Sequence, residues 1–326
     1  MNFAIIGAGG IARKMSETVK HMPEVNMYAI SARDLDRAQA FAKEWGYEKA
    51  YGSYEEMLAD DQVELVYIAL PHSHHHQWSI KAMEAGKHVL CEKAFAVNER
   101  QTREMIAVSK KTNRLLAEAI WTRYMPSRQI INDLIKEGTI GQVKTISANL
   151  GYKIDNHERI MKKELAGGAL LDLTVYPLNF SSMIMGDNIK EINASCIKTE
   201  TGVDGQDTVM LEYENGVMAS LYTSIYTQTD RRGMIYGTNG FLEIENINNP
   251  QSIKVYDGDR ANPKVIKEIK VPEQITGYEY EVRACIKAIE EGKIECPEMP
   301  HDMTIEIMRQ MDEIRKQFGI DFGSIE

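Results

Sequence analysis

Cysteine is scarce in this chain. Its four residues, Cys91, Cys196, Cys285 and Cys296, include no pair at CxxC spacing. That excludes a disulfide scaffold, a zinc ribbon and a thioredoxin-like motif, and free thiols in a reducing cytoplasm are the expectation. No apolar run approaches the roughly 18 residues that would span a membrane. No basic, apolar leader precedes the strand-like Phe3–Gly7, so a cytoplasmic protein is expected. Positive charge is in deficit: the net charge is -10. This speaks against nucleic acid or an anionic membrane as the main partner. It leaves room for an anionic cofactor in a locally positive site. Repeats, low-complexity tracts and long linkers are also missing.

What is present is an ordinary globular composition, 43% hydrophobic and 26% charged, over 326 residues. A chain of this length accommodates two domains. Residues 1–121 alternate short apolar strands with helical stretches. Glu64–Leu70 (ELVYIAL) is a near-continuous apolar run, as expected of a strand covered on both faces. This βαβ rhythm predicts a doubly wound parallel sheet. From residue 122 to 326 the pattern changes. Ser127–Lys136 reads as a helix, and strands of period two follow. In Thr208–Tyr213, the residues Val209, Leu211 and Tyr213 share a face. Asn215-Gly216 and Asn239-Gly240 each separate two strand-like runs and predict type I′ hairpin turns, which need two positive φ angles. The fold class is therefore α/β, with an N-terminal Rossmann domain and a C-terminal α+β domain on a large, open, mostly antiparallel sheet. Helices over about 277–291 and 302–318 close the chain.

Gly7-Ala8-Gly9-Gly10-Ile11-Ala12 fits G-x-G-x-x-A between a strand and a helix. Gly7 permits the tight turn, and Gly9 lets a pyrophosphate approach the backbone. Gly10 and Ile11 open the helix, and Ala12 lets helix and strand pack closely. The helix N-terminus offers free N–H groups to phosphate. The second strand ends Ile30-Ser31-Ala32-Arg33 instead of on an acid that would bind a ribose hydroxyl. Ser31, Arg33 and Arg37 suit a 2′-phosphate, which favours NADP(H), with NAD(H) as the second choice. The bland alternative is that both arginines are solvated charges at a helix start.

Three segments carry a resemblance. Gly86–Lys93 (GKHVLCEK) looks like the "GKHVLCEKP" segment of the glucose–fructose oxidoreductase / inositol dehydrogenase / MocA (Gfo/Idh/MocA) family. Glu118–Tyr124 (EAIWTRY) and Gly167–Tyr176 (GGALLDLTVY) resemble its branch of dimeric dihydrodiol dehydrogenases and NADP-dependent D-xylose dehydrogenases. The likeness runs over nearly the whole chain, including Gly237-Thr238-Asn239-Gly240. It implies a Rossmann domain followed by an open-sheet domain, with the sheet forming a homodimer or homotetramer interface. It also implies Lys93 as the catalytic lysine, Asp172 as the substrate-binding aspartate and Tyr176 as the acid/base. In place of the family's proline after Glu92-Lys93 stands Ala94, which opens the question of how the backbone turns there.

The chemistry is sensible without the family. Oxidising a carbinol needs a base for the hydroxyl proton, and the reverse needs an acid. Lysine can favour an ionised tyrosine and stabilise a developing alkoxide. Four residues apart on a helix, Asp172 and Tyr176 share a face. The run His72-Ser73-His74-His75-His76 suggests metal, but it directly follows a strand at the cofactor edge, so no metal is expected. Leu70, Pro71 and His72 are expected on the nicotinamide side, with His75 and Glu92 also in the cofactor site. Trp121 and Arg123 follow the last Rossmann strand, where a sugar-like substrate would bind; a core tryptophan and a structural arginine are the competing reading. Arg159 and Lys163 lie just ahead of Gly167 and are further substrate neighbours by sequence.

The function these readings favour is a hydride transfer between nicotinamide and a carbinol or carbonyl carbon of a sugar, sugar derivative or cyclic vicinal diol. Two alternatives share the fold: a non-catalytic NAD(P)-dependent sensor and an NAD-dependent non-redox glycosidase. Sequence does not choose the sugar.

Overall fold

The computed structural model describes residues 1–325. Among the described residues fourteen strands form two sheets. The first six strands are β1 (Asn2–Ile6), β2 (Asn26–Ser31), β3 (Lys49–Tyr51), β4 (Leu65–Ile68), β5 (His88–Glu92) and β6 (Leu116–Ala119). They make a wholly parallel sheet in the order β3-β2-β1-β4-β5-β6. That order reverses direction between β1 and β4, as in dinucleotide-binding sheets. Leu65, Val66, Tyr67 and Ile68 have no exposed surface at all. Apolar side chains buried this completely contribute roughly 1.5–3 kcal/mol each. Some of the helices between strands start on side-chain caps. Asp34 accepts the Arg37 N–H at 2.8 Å, and Asn98 accepts the Gln101 N–H at 2.9 Å.

The second sheet holds β7 (Val143–Gly151), β8 (Ile189–Lys198), β9 (Asp204–Tyr213), β10 (Met218–Ser224), β11 (Gly233–Gly237), β12 (Gly240–Ile244), β13 (Ser252–Asp257) and β14 (Val265–Lys270). Its order is β14-β13-β12-β11-β7-β10-β9-β8, antiparallel except where β10 meets β7. Alternation along β9 and β10 buries Val209, Leu211, Ala219 and Leu221 and leaves Met210, Met218 and Tyr222 exposed.

The two Asn-Gly turns differ from expectation. At Asn215-Gly216 only the glycine has positive φ, +79°. Tyr213 and Val217 pair across a three-residue loop, and the Asn215 side chain accepts the Val217 N–H at 3.2 Å. This is the three-residue hairpin with one left-handed glycine, not a type I′ turn. At Asn239-Gly240 neither residue has positive φ. The glycines there answer to space: a Cβ on Gly237 would meet the Ile140 carbonyl oxygen at 2.0 Å, and one on Gly240 would meet that of Tyr256 at 2.3 Å.

The chain forms two compact units. The first is Met1–Trp121 together with Gln274–Ile305; the second is Thr122–Glu273 and the stretch from Glu306 onward. The sequence reading assigned all of 122–326 to the second domain, so residues 274–305 are a correction. Their attachment is polar and specific. Leu116 N–H donates to the Ile294 carbonyl at 3.0 Å, the His301 imidazole sits 2.9 Å from the Leu116 carbonyl, and Arg283 pairs with Glu24 at 2.7 Å. The two contacts at Leu116 cover β6, the edge of the parallel sheet, where backbone groups would otherwise stand exposed. Among the described residues no helix is long and apolar enough to cross a membrane.

Candidate active site

In the first unit, β1 runs into Gly7, whose φ of +101° and position against the next strand both demand glycine. A Cβ there would stand 2.5 Å from the Ala69 carbonyl oxygen. Its N–H is held by the Ser31 carbonyl at 2.9 Å. Gly9 is different: it is extended, and nothing lies within 4 Å of a Cβ built on it. The helix Gly10–Val19 begins there with no side-chain cap and no acid in its first turn. Ala12 is fully buried, and Ile11 partly so. Uncapped N–H groups beside open space are what a pyrophosphate requires, so the residues present fit a dinucleotide.

Around this turn the expected ligands separate into two groups. Arg37 donates to the Ala8 carbonyl at 2.8 Å while its residue remains largely exposed, and Arg33 is exposed. Burial first, and then the Arg33 charge, holds the His74 imidazole below its usual range. Ser31 is a correction. It has no exposed surface and gives its hydroxyl to the Ile5 carbonyl at 3.3 Å, so it presents nothing to a 2′-phosphate.

The histidine run is structural in the main. His75 is completely buried, and its two ring nitrogens lie 2.8 Å from the carbonyls of Leu70 and Ala94. Burial pushes it down to about 4, against those two carbonyls, so it is neutral. It ties the end of β4 to the turn after Lys93 and offers no surface to a cofactor, which corrects its expected role. His72 packs edge-on against His75, His74 lies 2.9 Å from the Ser73 hydroxyl, and His76 pairs with Glu104 at 2.8 Å. Among the described residues no group of three His, Cys, Asp or Glu side chains could hold a metal ion. Leu70 and Pro71 keep partial exposure at the end of β4.

Lys93 follows β5 and is partly exposed. The Glu92 carboxylate beneath it accepts from the Tyr67 hydroxyl and from the Lys93 N–H, the latter at 3.1 Å. Glu92 is only 6% exposed, so it shapes the lysine turn more than it meets a ligand. The Lys93–Ala94 peptide is cis, with alanine at the position of the expected proline. Trp121 is another correction. Its ring is 6% exposed and lies flat on Tyr278, centroids 4.2 Å apart at 9°. One face that a sugar would stack on is already covered.

In the second unit, the segment Gly167–Tyr176 makes a π-helical turn, Leu170–Thr174, that runs into the helix Val175–Met185. The Val175 N–H reaches back to the Leu170 carbonyl. Pro177 falls in the first turn of that helix. It brings no N–H for the carbonyl four residues earlier and crowds it, and the widened turn ahead of it accommodates this. Asp172 (4% exposed) sits in the π turn and Tyr176 (8%) at the helix start. Arg159, expected only as a neighbour, grips Asp172 with two nitrogens at 2.9 and 3.4 Å. Lys163, in the short turn Lys163–Leu165, has no such contact described.

Arg123 is a further correction. It is 1% exposed; its guanidinium donates to the Asn179 side chain and, at 2.9 Å, to the Ser182 hydroxyl. Both acceptors lie on the helix Val175–Met185 that carries Tyr176, so Arg123 is a core brace for that helix. A buried guanidinium needs such partners, and these explain its burial. The same segment is anchored by two residues that sequence reading missed, Asp204 and Asp207. Asp204 accepts the Leu170 N–H, and Asp207 accepts the Thr174 hydroxyl at 2.7 Å.

A parallel sheet in this strand order, closed by a glycine turn at an uncapped helix start, defines a dinucleotide-binding protein. Residues 1–119 match the family described as "Oxidoreductase family, NAD-binding Rossmann fold", and residues 129–243 match the Gfo/Idh/MocA C-terminal domain. The chain belongs to this Gfo/Idh/MocA family of oxidoreductases. It is similar to trans-1,2-dihydrobenzene-1,2-diol dehydrogenase of Mus musculus, with 33% identity over 99% of this chain and 98% of that one. It is also similar to the Homo sapiens protein of that name, at 32% with the same coverage. In fold it is similar to a 3-ketoreductase from Actinomadura kijaniata solved with NADP and TDP-benzene (TM-score 0.89, 23% identity, 98% of both chains). A levoglucosan dehydrogenase solved with NADH and levoglucosan aligns with TM-score 0.87 and 20% identity, over 98% of this chain and 97% of that one.

Proposed function

We propose that this oxidoreductase moves a hydride between NADP(H) and a carbinol or carbonyl carbon of a sugar, sugar derivative or cyclic vicinal diol, with Lys93, Asp172 and Tyr176 as its chemical groups. The observation that carries the proposal is the junction at 172–176. It holds a buried carboxylate and a buried phenol on one braced segment, with the carboxylate gripped by Arg159.

The bound nicotinamide supplies the hydride acceptor in one direction and the donor in the other. In oxidation Tyr176 takes the carbinol proton as its C–H bond breaks; in reduction it returns that proton to the carbonyl oxygen. Lys93 supplies the positive charge that a developing alkoxide requires. Asp172 accepts a hydrogen bond from a neighbouring substrate hydroxyl, and Arg159 offers N–H donors to another. That pairing of acceptor and donor suits two adjacent oxygens, which is the pattern of a vicinal diol or a sugar. The relatives named for a dihydrodiol and the neighbours named for a ketoreductase and levoglucosan support the same substrate class. Residues 1–121 are assigned to the cofactor and 122–273 to substrate and oligomer contacts.

NADP(H) is preferred over NAD(H) because Arg33 and Arg37 supply positive charge at the end of β2, where Asp34 is committed to capping. The exposed face of the second sheet, with Met210, Met218 and Tyr222, supports association of copies as a homodimer or homotetramer. Light scattering of the wild type and Tyr222→Glu tests this. Four unpaired thiols are in keeping with a cytoplasmic setting.

The test is the rise of reduced-nicotinamide absorbance with NADP⁺ or NAD⁺ across aldoses, inositols and cyclic diols, with ketones and NADPH for the reverse. Turnover should fall by roughly 10²–10⁴-fold in Tyr176→Phe and Lys93→Met, with cofactor affinity nearly kept. Binding of both cofactors without any turnover would shift the reading to a sensor or a non-redox enzyme.

A further inference from the structure

In a regular strand, residues three apart face opposite sides of the sheet. Asp204 and Asp207 break this rule. Lys198 pairs with Asp204, but the next residue back, Ile197, already pairs with Gln206. Gly205 is therefore an extra residue, a bulge, and it turns both aspartates inward. Asp204 is 1% exposed and Asp207 2%. Gly205 also has no room for a side chain, since a Cβ there would meet the Tyr226 ring at 2.6 Å.

The two side chains meet the π turn on both sides of Asp172. Asp204 Oδ2 accepts the Leu170 N–H, two residues before it. Gly168 gives way to the same carboxyl: its φ is +110°, and a Cβ there would lie 2.3 Å from Asp204 Oδ1. Asp207 Oδ2 accepts the Thr174 hydroxyl at 2.7 Å, two residues after Asp172, and Thr174 in turn meets the Thr223 hydroxyl at 2.6 Å. Asp207 Oδ1 is buried with no donor from any other group. Its neighbour Asp204 is another acid, and a proton held between the two carboxyls would satisfy that oxygen.

We propose that Asp204 and Asp207 share one proton and act as positioning residues, fastening the π turn at Leu170 and Thr174 so that Asp172 and Tyr176 are held for the reaction. Burial raises Asp204 as well, but backbone N–H groups, that of Leu170 among them, oppose this and make it the more acidic of the two. Asp207 carries the proton, and burial followed by the Asp204 charge raises it well above the carboxylate range. The positional consequence rests on the hydride-transfer reading above; the clamp itself does not.

The experiment uses the full chain with NADP⁺ and three variants: Asp207→Ala, Asp207→Asn and Thr174→Val. Asparagine replaces the shared proton with an amide N–H toward Asp204 and keeps an oxygen for Thr174. Hydrogen exchange of the backbone amides over 168–176 reads the clamp. Asp207→Ala is expected to speed exchange at Leu170 by about tenfold or more, with Asp207→Asn near the wild type and Thr174→Val between them. Steady-state kinetics read the consequence. Asp207→Ala is expected to lower kcat/KM by about 10–100-fold with cofactor affinity unchanged, and Asp207→Asn to recover to within about threefold. An Asp207→Asn protein as defective as Asp207→Ala would overturn the shared proton. Unchanged exchange in both Asp207→Ala and Thr174→Val would overturn the clamp. If Asp207→Ala does not fold, exchange in Thr174→Val decides. If the wild type turns over no substrate, the hydride-transfer reading fails while exchange still decides the clamp.

Discussion

The glycine turn after β1 and the π turn around Asp172, which follows Gly167-Gly168, are both short and both set ahead of a helix. They are stabilised in opposite ways. The first is built from its own backbone. Gly7 is fixed by φ and by the Ala69 carbonyl, while Gly9 and the uncapped helix start are left open. The second is built from the rest of its unit. Gly168 gives way to Asp204, Leu170 and Thr174 hang on the two buried acids, and Arg123 braces the following helix. A site that must admit a phosphate keeps its groups unsatisfied, whereas a site that must aim side chains has its groups satisfied from a distance.

Four substitutions press on this contrast. Gly7→Val should have the largest effect, since both φ and the neighbouring strand oppose it. We expect a loss of about 3 kcal/mol or more in denaturant unfolding and no measurable cofactor binding. A stable variant that still binds would mean the turn tolerates a side chain. Gly168→Ala should cost about 2–4 kcal/mol, because its methyl group would press on a buried carboxyl that holds the π turn. Cofactor affinity should stay as it was.

Arg123→Met comes next, at about 2–3 kcal/mol, since it takes their guanidinium donors from the Asn179 side-chain oxygen and the Ser182 hydroxyl in the core. Its stability loss should exceed any change in KM; a large KM effect with unchanged stability would return Arg123 to the substrate. Gly9→Ala should be the mildest for folding, within about 1 kcal/mol and on the stabilising side, because its extended backbone accepts alanine and nothing lies near the new methyl. Cofactor affinity should nonetheless fall by about tenfold or more, as the methyl fills the space meant for pyrophosphate.

A pH measurement sharpens the picture of the first unit. His88 accepts the Leu115 N–H at 2.9 Å, and burial pushes it down to about 4. Its folded value lies below its unfolded value, so the unfolded chain binds the proton first. The stability it contributes is full above about pH 6.5 and is lost as pH falls toward 4. His88→Asn, which keeps an acceptor, should shrink the loss of thermal stability over that window. An unaltered pH profile would mean that other groups set it.

This contrast also explains what was legible in the sequence. The parallel sheet, its glycine turn and the period-two strands are local signals, and they appear where the pattern put them. Apart from the two Asn-Gly turns, whose geometry differs from type I′, the failures depend on residues farther along the chain. Ser31 looked polar and terminal, but its hydroxyl turns inward to Ile5. Trp121 looked available until Tyr278, more than 150 residues away, covered it. His75 and Arg123 carry polar groups that suit ligands equally well as carbonyls and core hydroxyls, and residue type does not separate the two. The Asp204–Asp207 pair was invisible because a bulge at Gly205, seen only in the strand register, brings them to one face. The one trace in the sequence was Asp-Gly-x-Asp at the start of an otherwise apolar strand.

The central claim is hydride transfer with Tyr176 handling the proton. Its most direct test is mass spectrometry of NADPH formed from a sugar or diol labelled with deuterium on the carbinol carbon, in the wild type and in Tyr176→Phe. The account predicts one deuterium in the reduced cofactor of the wild type and almost no reduced cofactor from the variant. Deuterium lost to solvent, or product formed with no net reduced cofactor, would contradict it.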